Sequence, residues 1–329
     1  MRKVSISRRR AIAVGAGAAV LAATQGRRAS ADDRSAAGGL ADSSLARSLP
    51  GGFRSGHADV NGIRLHYVAG GQGQPLILLP GWPETWWEYR KVMPSLAARY
   101  RVIVADLRGM GGSGKPQSGY DKKTMASDIF GLARALGYET VNIAGHDIGS
   151  MVAFSFAANH PEATRKVALL DVTHPDESYN TFPLLPQPGQ PIYPWWFAFN
   201  QVRGLPEQLV SGRSRFLIDA ILDDLLVNKA AISDGDRAIY AQAYSYPDAI
   251  RASNGWFQTF GQDIADLASY GKITAPMLGL ADPLFFGFFQ QVLPAEGTDV
   301  SVVEVKDTGH FLVEEQPQAV IDALTGFFG

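Results

Sequence analysis

The chain has no cysteine in 329 residues. Disulfides and thiolate metal sites are therefore excluded. None of its six histidines stands in an HxxxH spacing, so the paired-histidine helix of zinc hydrolases is missing as well. Long apolar runs are also scarce. The stretch Ala11–Ala23 is mild and flanked by charge, short of the ~20 apolar residues a membrane-spanning helix needs. Positive charge is concentrated at the start, in Arg2, Lys3 and Ser7-Arg8-Arg9-Arg10. With the Ala/Gly-rich run behind it and Ala29-Ser30-Ala31 as an A-x-A-like cleavage site, residues 1–31 read as a Tat-type signal for export of the folded protein. A disordered basic tail is the alternative reading. Cleavage there would leave 23 Lys and Arg against 32 Asp and Glu, a formal charge of −9. An acidic mature chain argues against nucleic acid as a partner, and it offers no basic amphipathic helix for a membrane surface.

What is present is a pattern of buried strands and helices. Residues 32–50 are small and polar and read as a flexible linker. The segments 57–60 and 63–68, joined by Asn61-Gly62, read as a hairpin. Apolar strands are expected at 75–79, 101–105, 141–144, 166–170, 275–280 and 300–305. Helices are expected at about 85–98, 124–136, 148–159 and 316–328. This alternation predicts an α/β fold with a mostly parallel sheet. After Asp171 it breaks into a Pro- and aromatic-rich stretch, followed by helices at about 206–229, 234–243 and 247–260. The expected division is a core over 51–172, a helical cap over 173–265, and the second part of the core over 266–329. Ligands of such sheets bind at the carboxyl ends of the strands, where a cap would roof them.

The strand Val141–Ala144 runs into Gly145-His146-Asp147-Ile148-Gly149. That is the form of a nucleophile elbow with a carboxylate in the exposed position. Carboxylate attack on an ester carbonyl would give a reactive anhydride. Attack on a saturated carbon gives an alkyl ester that water can cleave. Asp147 thus points to epoxides or alkyl halides. His310, between a strand and a helix, suits proton transfer near neutrality and would activate the cleaving water. A carboxylate should orient it. Asp171, at the end of 166–170, and Asp282, after the strand ending at Leu280, are both candidates. Asp282 is followed by Pro283 and the run Phe285–Phe289, a context that suggests packing. A metal site from Asp147, Asp171, His174 and His310 is a weaker reading. His57, His66 and His160 read as ordinary residues, and Asp106 with Arg108 as a structural loop holding its own ion pair. Gly109–Gly114 lacks the Lys-Ser/Thr end of a phosphate loop.

Four segments together resemble the epoxide hydrolase and dehalogenase branch of the α/β-hydrolase superfamily, over about residues 57–329. They are Leu79-Pro80-Gly81-Trp82-Pro83, Asp106–Ser113, Gly145–Gly149 and Gly309-His310-Phe311-Leu312. The resemblance implies a cofactor-free enzyme with Asp147, His310 and Asp171 as its triad, and backbone N–H groups of Trp82 and Ile148 as an oxyanion hole. It implies a small organic substrate, epoxide or halide, and water as the reactants, and the aromatic, Pro-rich cap suggests that the substrate is largely apolar. Pro80 stands where the family has histidine. For epoxides the family supplies a proton donor from the cap. Tyr244 matches one such donor, while Trp196, or Trp195 if the register slips by one, replaces the other. An indole donates a hydrogen bond but keeps its proton. Epoxide hydrolysis is the leading expectation. Halide displacement by the same nucleophile is the alternative, and a non-catalytic binding protein with an aromatic pocket is the reading from another class.

Overall fold

The computed structural model describes residues 41–183, 185–186, 188–189 and 192–329. The export signal expected over 1–31 lies outside them. The hairpin forms as the sequence predicts. Asn61 and Gly62 both take positive φ (45° and 76°), the I′ geometry that matches strand twist. They join β1 (Arg54–Val60) to β2 (Ile63–Gly70) with Val60 opposite Ile63. Then follow β3 (Gln74–Leu79), β4 (Tyr100–Ala105), β5 (Val141–His146), β6 (Thr164–Leu170), β7 (Met277–Ala281) and β8 (Val300–Glu304). The eight strands lie in the order β1-β2-β4-β3-β5-β6-β7-β8. Among the described strands only the β1–β2 and β2–β4 pairs are antiparallel. All six residues of β5 are buried, because the sheet is covered on both faces there. The carboxyl ends of β5 and β6, and the loop after β8, converge on one rim.

Four stretches depart from the sequence expectation. The segment 32–50 is no simple linker, since Asp42–Ser48 is a helix with Leu45 and Ala46 buried. Its Asp42 accepts a 2.7 Å hydrogen bond from the Trp86 indole. A partner 44 residues away in sequence is invisible to composition. The helix expected at 85–98 is a 3₁₀ turn (Trp86–Lys91) and a short α-helix (Met93–Leu96), because Pro94 has no N–H to carry one ladder through. The helix expected at 206–229 is split at Gly212, whose φ is 70°, into Leu205–Val210 and Ser214–Leu225. The aromatic run after Asp282 opens a helix, Phe286–Glu296.

Among the described residues six α-helices stand between β6 and β7: Trp195–Gln201, Leu205–Val210, Ser214–Leu225, Asp234–Ala243, Pro247–Gln258 and Phe260–Leu267. Polar side chains fix them to the sheet layer. Trp87 donates its indole N–H to Asp236 at 2.7 Å, and Trp256 donates to the Arg108 carbonyl at 2.8 Å. Lys122 and Asp263 form a 2.8 Å ion pair with both side chains wholly buried. Burial pulls the Lys122 pKa down, against the Asp263 charge. Removing one member leaves the other charge stranded. Asp263→Ala is accordingly expected to cost about 3–5 kcal/mol in a urea unfolding curve. Replacing Lys122 and Asp263 together with apolar residues is expected to cost far less.

Candidate active site

Asp147 sits where β5 gives way to the helix Ile148–Asn159, with φ 50° and ψ −120°. A non-glycine residue is held there only by its surroundings. The flanking glycines are what allow so close a turn. A Cβ on Gly145 would lie 2.0 Å from the Gly149 carbonyl oxygen, and one on Gly149 would lie 2.1 Å from that of Leu79. The strand end and the first helical turn are thus pressed together, and the carboxylate is pushed outward.

The Trp82 N–H donates to Asp147 Oδ1 at 2.8 Å. Ile148 opens the following helix, and first-turn amides have no partner within their own helix. His310 Nε2 stands 3.6 Å from Asp147 Oδ2, while its Nδ1 is 2.7 Å from Asp171 Oδ2. Asp171 also has positive φ, 62°, and its other oxygen accepts the Asp282 N–H at 2.9 Å. Asp282 does not touch His310. It accepts the Phe285 N–H at 2.7 Å and pins the turn that starts the next helix. Between the two carboxylates left open by the sequence, the histidine's hydrogen bond goes to Asp171.

The electrostatics follow from this packing. Burial pushes the Asp147 carboxyl up, but the His310 ring and the Trp82 N–H outweigh it and hold the group below its usual range. Burial raises Asp171 to about 6, against the hydrogen bond and charge of His310. Burial opposes charge on His310, yet the two carboxylates win and raise its pKa well above the usual value. An ester on Asp147 would remove one of those charges and make the ring a better base.

The α/β-hydrolase fold model matches residues 74–209. The soluble epoxide hydrolase of Corynebacterium sp. (strain C12) is 35% identical over 282 residues, covering 82% of this chain and 96% of that protein. The fluoroacetate dehalogenase of Burkholderia sp. is 34% identical over 164 residues, 48% of this chain and 53% of that protein. The solved epoxide hydrolase CorEH superposes with a TM-score of 0.74 at 34% identity, covering 84% of this chain and 98% of CorEH. The chain belongs to the α/β-hydrolase family. It is an enzyme of the epoxide-hydrolase-like kind.

In this hydrolase the aromatic residues singled out by the sequence make contacts of their own. Tyr244, matched above to the family's donor, is engaged with the core loop. Its side chain is buried and its hydroxyl donates to the Glu84 carbonyl at 2.7 Å, tying the helix Asp234–Ala243 to the core loop. That proton is already committed. Trp195 is half-buried and donates its indole N–H to Asp224 at 3.0 Å. Trp196 is buried, and its indole makes no hydrogen bond among the described residues. His174 bonds the Pro175 carbonyl at 3.1 Å and packs on Phe154 and Tyr270, so it takes no part in a metal set with the triad. Asp106 and Arg108 do not pair with each other. Asp106 bonds the buried His66 ring at 2.7 Å, and Arg108 pairs with Asp128 at 2.7 Å. His66 is therefore a core hydrogen-bond partner, more than an ordinary strand residue.

Tyr179 carries no signal in the sequence. It lies in the 3₁₀ turn Glu177–Thr181, eight positions after Asp171. Its ring packs on Phe197 and Phe260, with centroids 5.8 and 5.3 Å away. Phe197 and Phe260 pack on Phe257, and Phe257 packs edge-on to Trp82 at 5.1 Å. Burial raises the Tyr179 pKa, and the Asp147 carboxylate is foremost among the charges that raise it further. Its hydroxyl makes no hydrogen bond among the described residues. A phenol in an irregular, proline-rich connection carries no periodicity, so only the fold could bring it to notice.

Proposed function

We propose that the protein opens epoxides to vicinal diols through a covalent ester on Asp147. One observation carries this reading. A carboxylate occupies the elbow, with a backbone N–H at 2.8 Å on one oxygen and a carboxylate-oriented imidazole beside the other. Relatives named as epoxide hydrolases support it along nearly their whole length.

In the first step an Asp147 oxygen attacks a ring carbon. The C–O bond of the epoxide breaks and its electron pair passes to oxygen, which takes the Tyr179 proton. Trp196 offers that oxygen a second hydrogen bond. In the second step His310 Nε2 removes a proton from water, and the hydroxide adds to the ester carbonyl carbon. The resulting oxyanion is met by the Trp82 and Ile148 N–H groups. Collapse expels the diol alkoxide, which takes the proton from His310. The Asp147 carboxyl then ionises, and its proton restores Tyr179. Epoxide and water thus become diol with nothing left over.

The test follows from the atoms. In a single turnover in ¹⁸O-water the diol should be unlabelled, with the label on Asp147, because the diol oxygen comes from the carboxylate. Label in the first-turnover diol would mean direct water attack and would sink the covalent route. If haloalkanes alone are consumed, the halide reading takes its place; the fluoroacetate dehalogenase likeness makes that the second arm. For the proton donor, Tyr179→Phe is expected to lower kcat for epoxides about 10²-fold, the usual worth of a general acid. Tyr244→Phe should change kcat little and lower stability by about 1 kcal/mol through its lost hydrogen bond.

A further inference from the structure

Behind the Asp147 elbow lies a buried group of ionisable side chains that the reaction does not use. Glu84, Glu88 and His146 are each wholly buried, and one polar atom from each lies within 4.8 Å of the other two. His146 Nε2 is 2.8 Å from the His310 carbonyl oxygen, which can only accept. The ring proton is therefore on Nε2, and Nδ1 of a neutral ring presents a lone pair. That lone pair faces Glu88 Oε1 at 3.1 Å, and neither atom has another hydrogen-bond partner among the described residues. An ionised carboxylate would set two lone pairs against each other in a dry interior. The other Glu88 oxygen accepts the Gly81 N–H at 2.8 Å.

We propose that Glu88 is a positioning residue that works as a neutral carboxylic acid, donating its proton to His146 Nδ1. The contact ties two loops of the site together. On one side Glu88 holds Gly81, whose neighbour Trp82 donates to Asp147. On the other, His146 holds the backbone of His310. The assembly has no slack, since a Cβ on Gly81 would lie 2.6 Å from Asp147 Cβ and 3.0 Å from His146 Nδ1.

The ionised carboxylates packed against Glu88 favour the neutral form. These are Glu314 from the helix Leu312–Glu315 and Asp147 from the end of β5, while Glu84 in the preceding loop is itself pushed well up by burial and by Glu88. Nearby cations are already taken: Arg90 by Glu314 and Asp236, and Lys91 by Glu314 at 2.9 Å. Tyr240 donates to Glu314, Tyr244 to the Glu84 carbonyl, and Tyr89 to the Leu79 carbonyl. Burial, then the Glu314 and Asp147 charges, lift Glu88 to about 8 against the Gly81 N–H and the neighbouring Glu84 carboxyl, while burial and His310 push His146 down. Below that pH the proton is present. Above it the carboxylate forms, repels Nδ1 and loosens both loops.

The positioning role rests on the epoxide reading, but its first test does not. The infrared difference between the wild type and Glu88→Gln at neutral pH should show the loss of one protonated carboxyl band. No such loss overturns the proposal whatever the substrate. In turnover, Glu88→Gln supplies a neutral donor and acceptor of the same shape. It should keep kcat within about threefold and abolish the fall in kcat as pH rises through about 8. Glu88→Ala loses both contacts and should lower kcat about 10²-fold with little change in KM. Should Glu88→Ala fail to fold, the Gln variant and the infrared band still decide. A Gln variant as impaired as Ala, or with the alkaline fall unchanged, overturns the proposal. So does a stoichiometric metal ion in the purified protein that Glu88→Gln removes, since Glu84, Glu88 and His146 would then be its ligands.

Discussion

His310→Gln should stop turnover after one chemical step and leave the substrate on the enzyme. The attack by Asp147 needs no base, because a carboxylate is ordinarily ionised at neutral pH and the Trp82 N–H still supports it without the His310 ring. Trp82 still donates to Oδ1 in the variant, and the glutamine amide can still bond Asp171. Ester cleavage is another matter. Water must lose a proton as it adds, and among the described residues His310 is the base beside Asp147. Steady-state turnover should fall at least about 10⁴-fold, the scale on which removing a triad base acts. Intact mass should then report Asp147 carrying the whole mass of an epoxide, or a haloalkane less its halogen. A variant that is inactive and unmodified across both panels would count against a covalent ester on Asp147. The pH dependence has a definite sign. The histidine must be unprotonated to cleave the ester, so in the wild type that step should speed up as pH rises through the histidine's pKa in the ester form. That value should lie below the resting one, because the Asp147 charge is gone.

Asp171→Asn should be nearly as severe, and Asp282→Asn mild. An amide in place of Asp171 can still meet His310 Nδ1 at 2.7 Å, but without the negative charge that keeps the proton on Nδ1. The ring is free to place its proton on Nε2, the atom that must accept from water. A wrong tautomer of this kind costs about 10³–10⁴-fold in kcat in other triads. Asp282 works one step removed. Its own N–H supports Asp171 at 2.9 Å, and its side chain caps Phe285. An asparagine keeps both contacts, so kcat should stay within about fivefold of the wild type. Measuring kcat for the two variants decides the pair, and equal losses would mean that the relay is shared.

Local chemistry fixed more of this protein than its composition suggests. Strands β3 to β8 were legible because each is a short apolar run that ends in a turn. The hairpin was legible because Asn61-Gly62 demands positive φ. Asp147 was legible because a strained strand-to-helix turn needs glycine at fixed positions, and that spacing is local. His310 and Asp171 were legible as residues at strand ends, since strand ends share one rim of a parallel sheet. The helix Asp42–Ser48 was not, because what holds it is Trp86, far along the chain.

The tertiary structure decided everything that depends on which way a side chain turns across a gap. Asp171 and Asp282 both end strands, and only the Nδ1 contact separates them. Tyr244 fits a motif, yet its hydroxyl donates to the Glu84 carbonyl; Tyr179 fits none, yet the fold packs its ring on Phe197 and Phe260. Glu88 and His146 are 58 positions apart and read as an ordinary helix residue and a turn residue. Packed with no water between them, they have to share a proton. Sequence sets which groups are available and the local turns they can make. Burial sets their protonation and their partners, and burial exists only once distant segments have closed on one another.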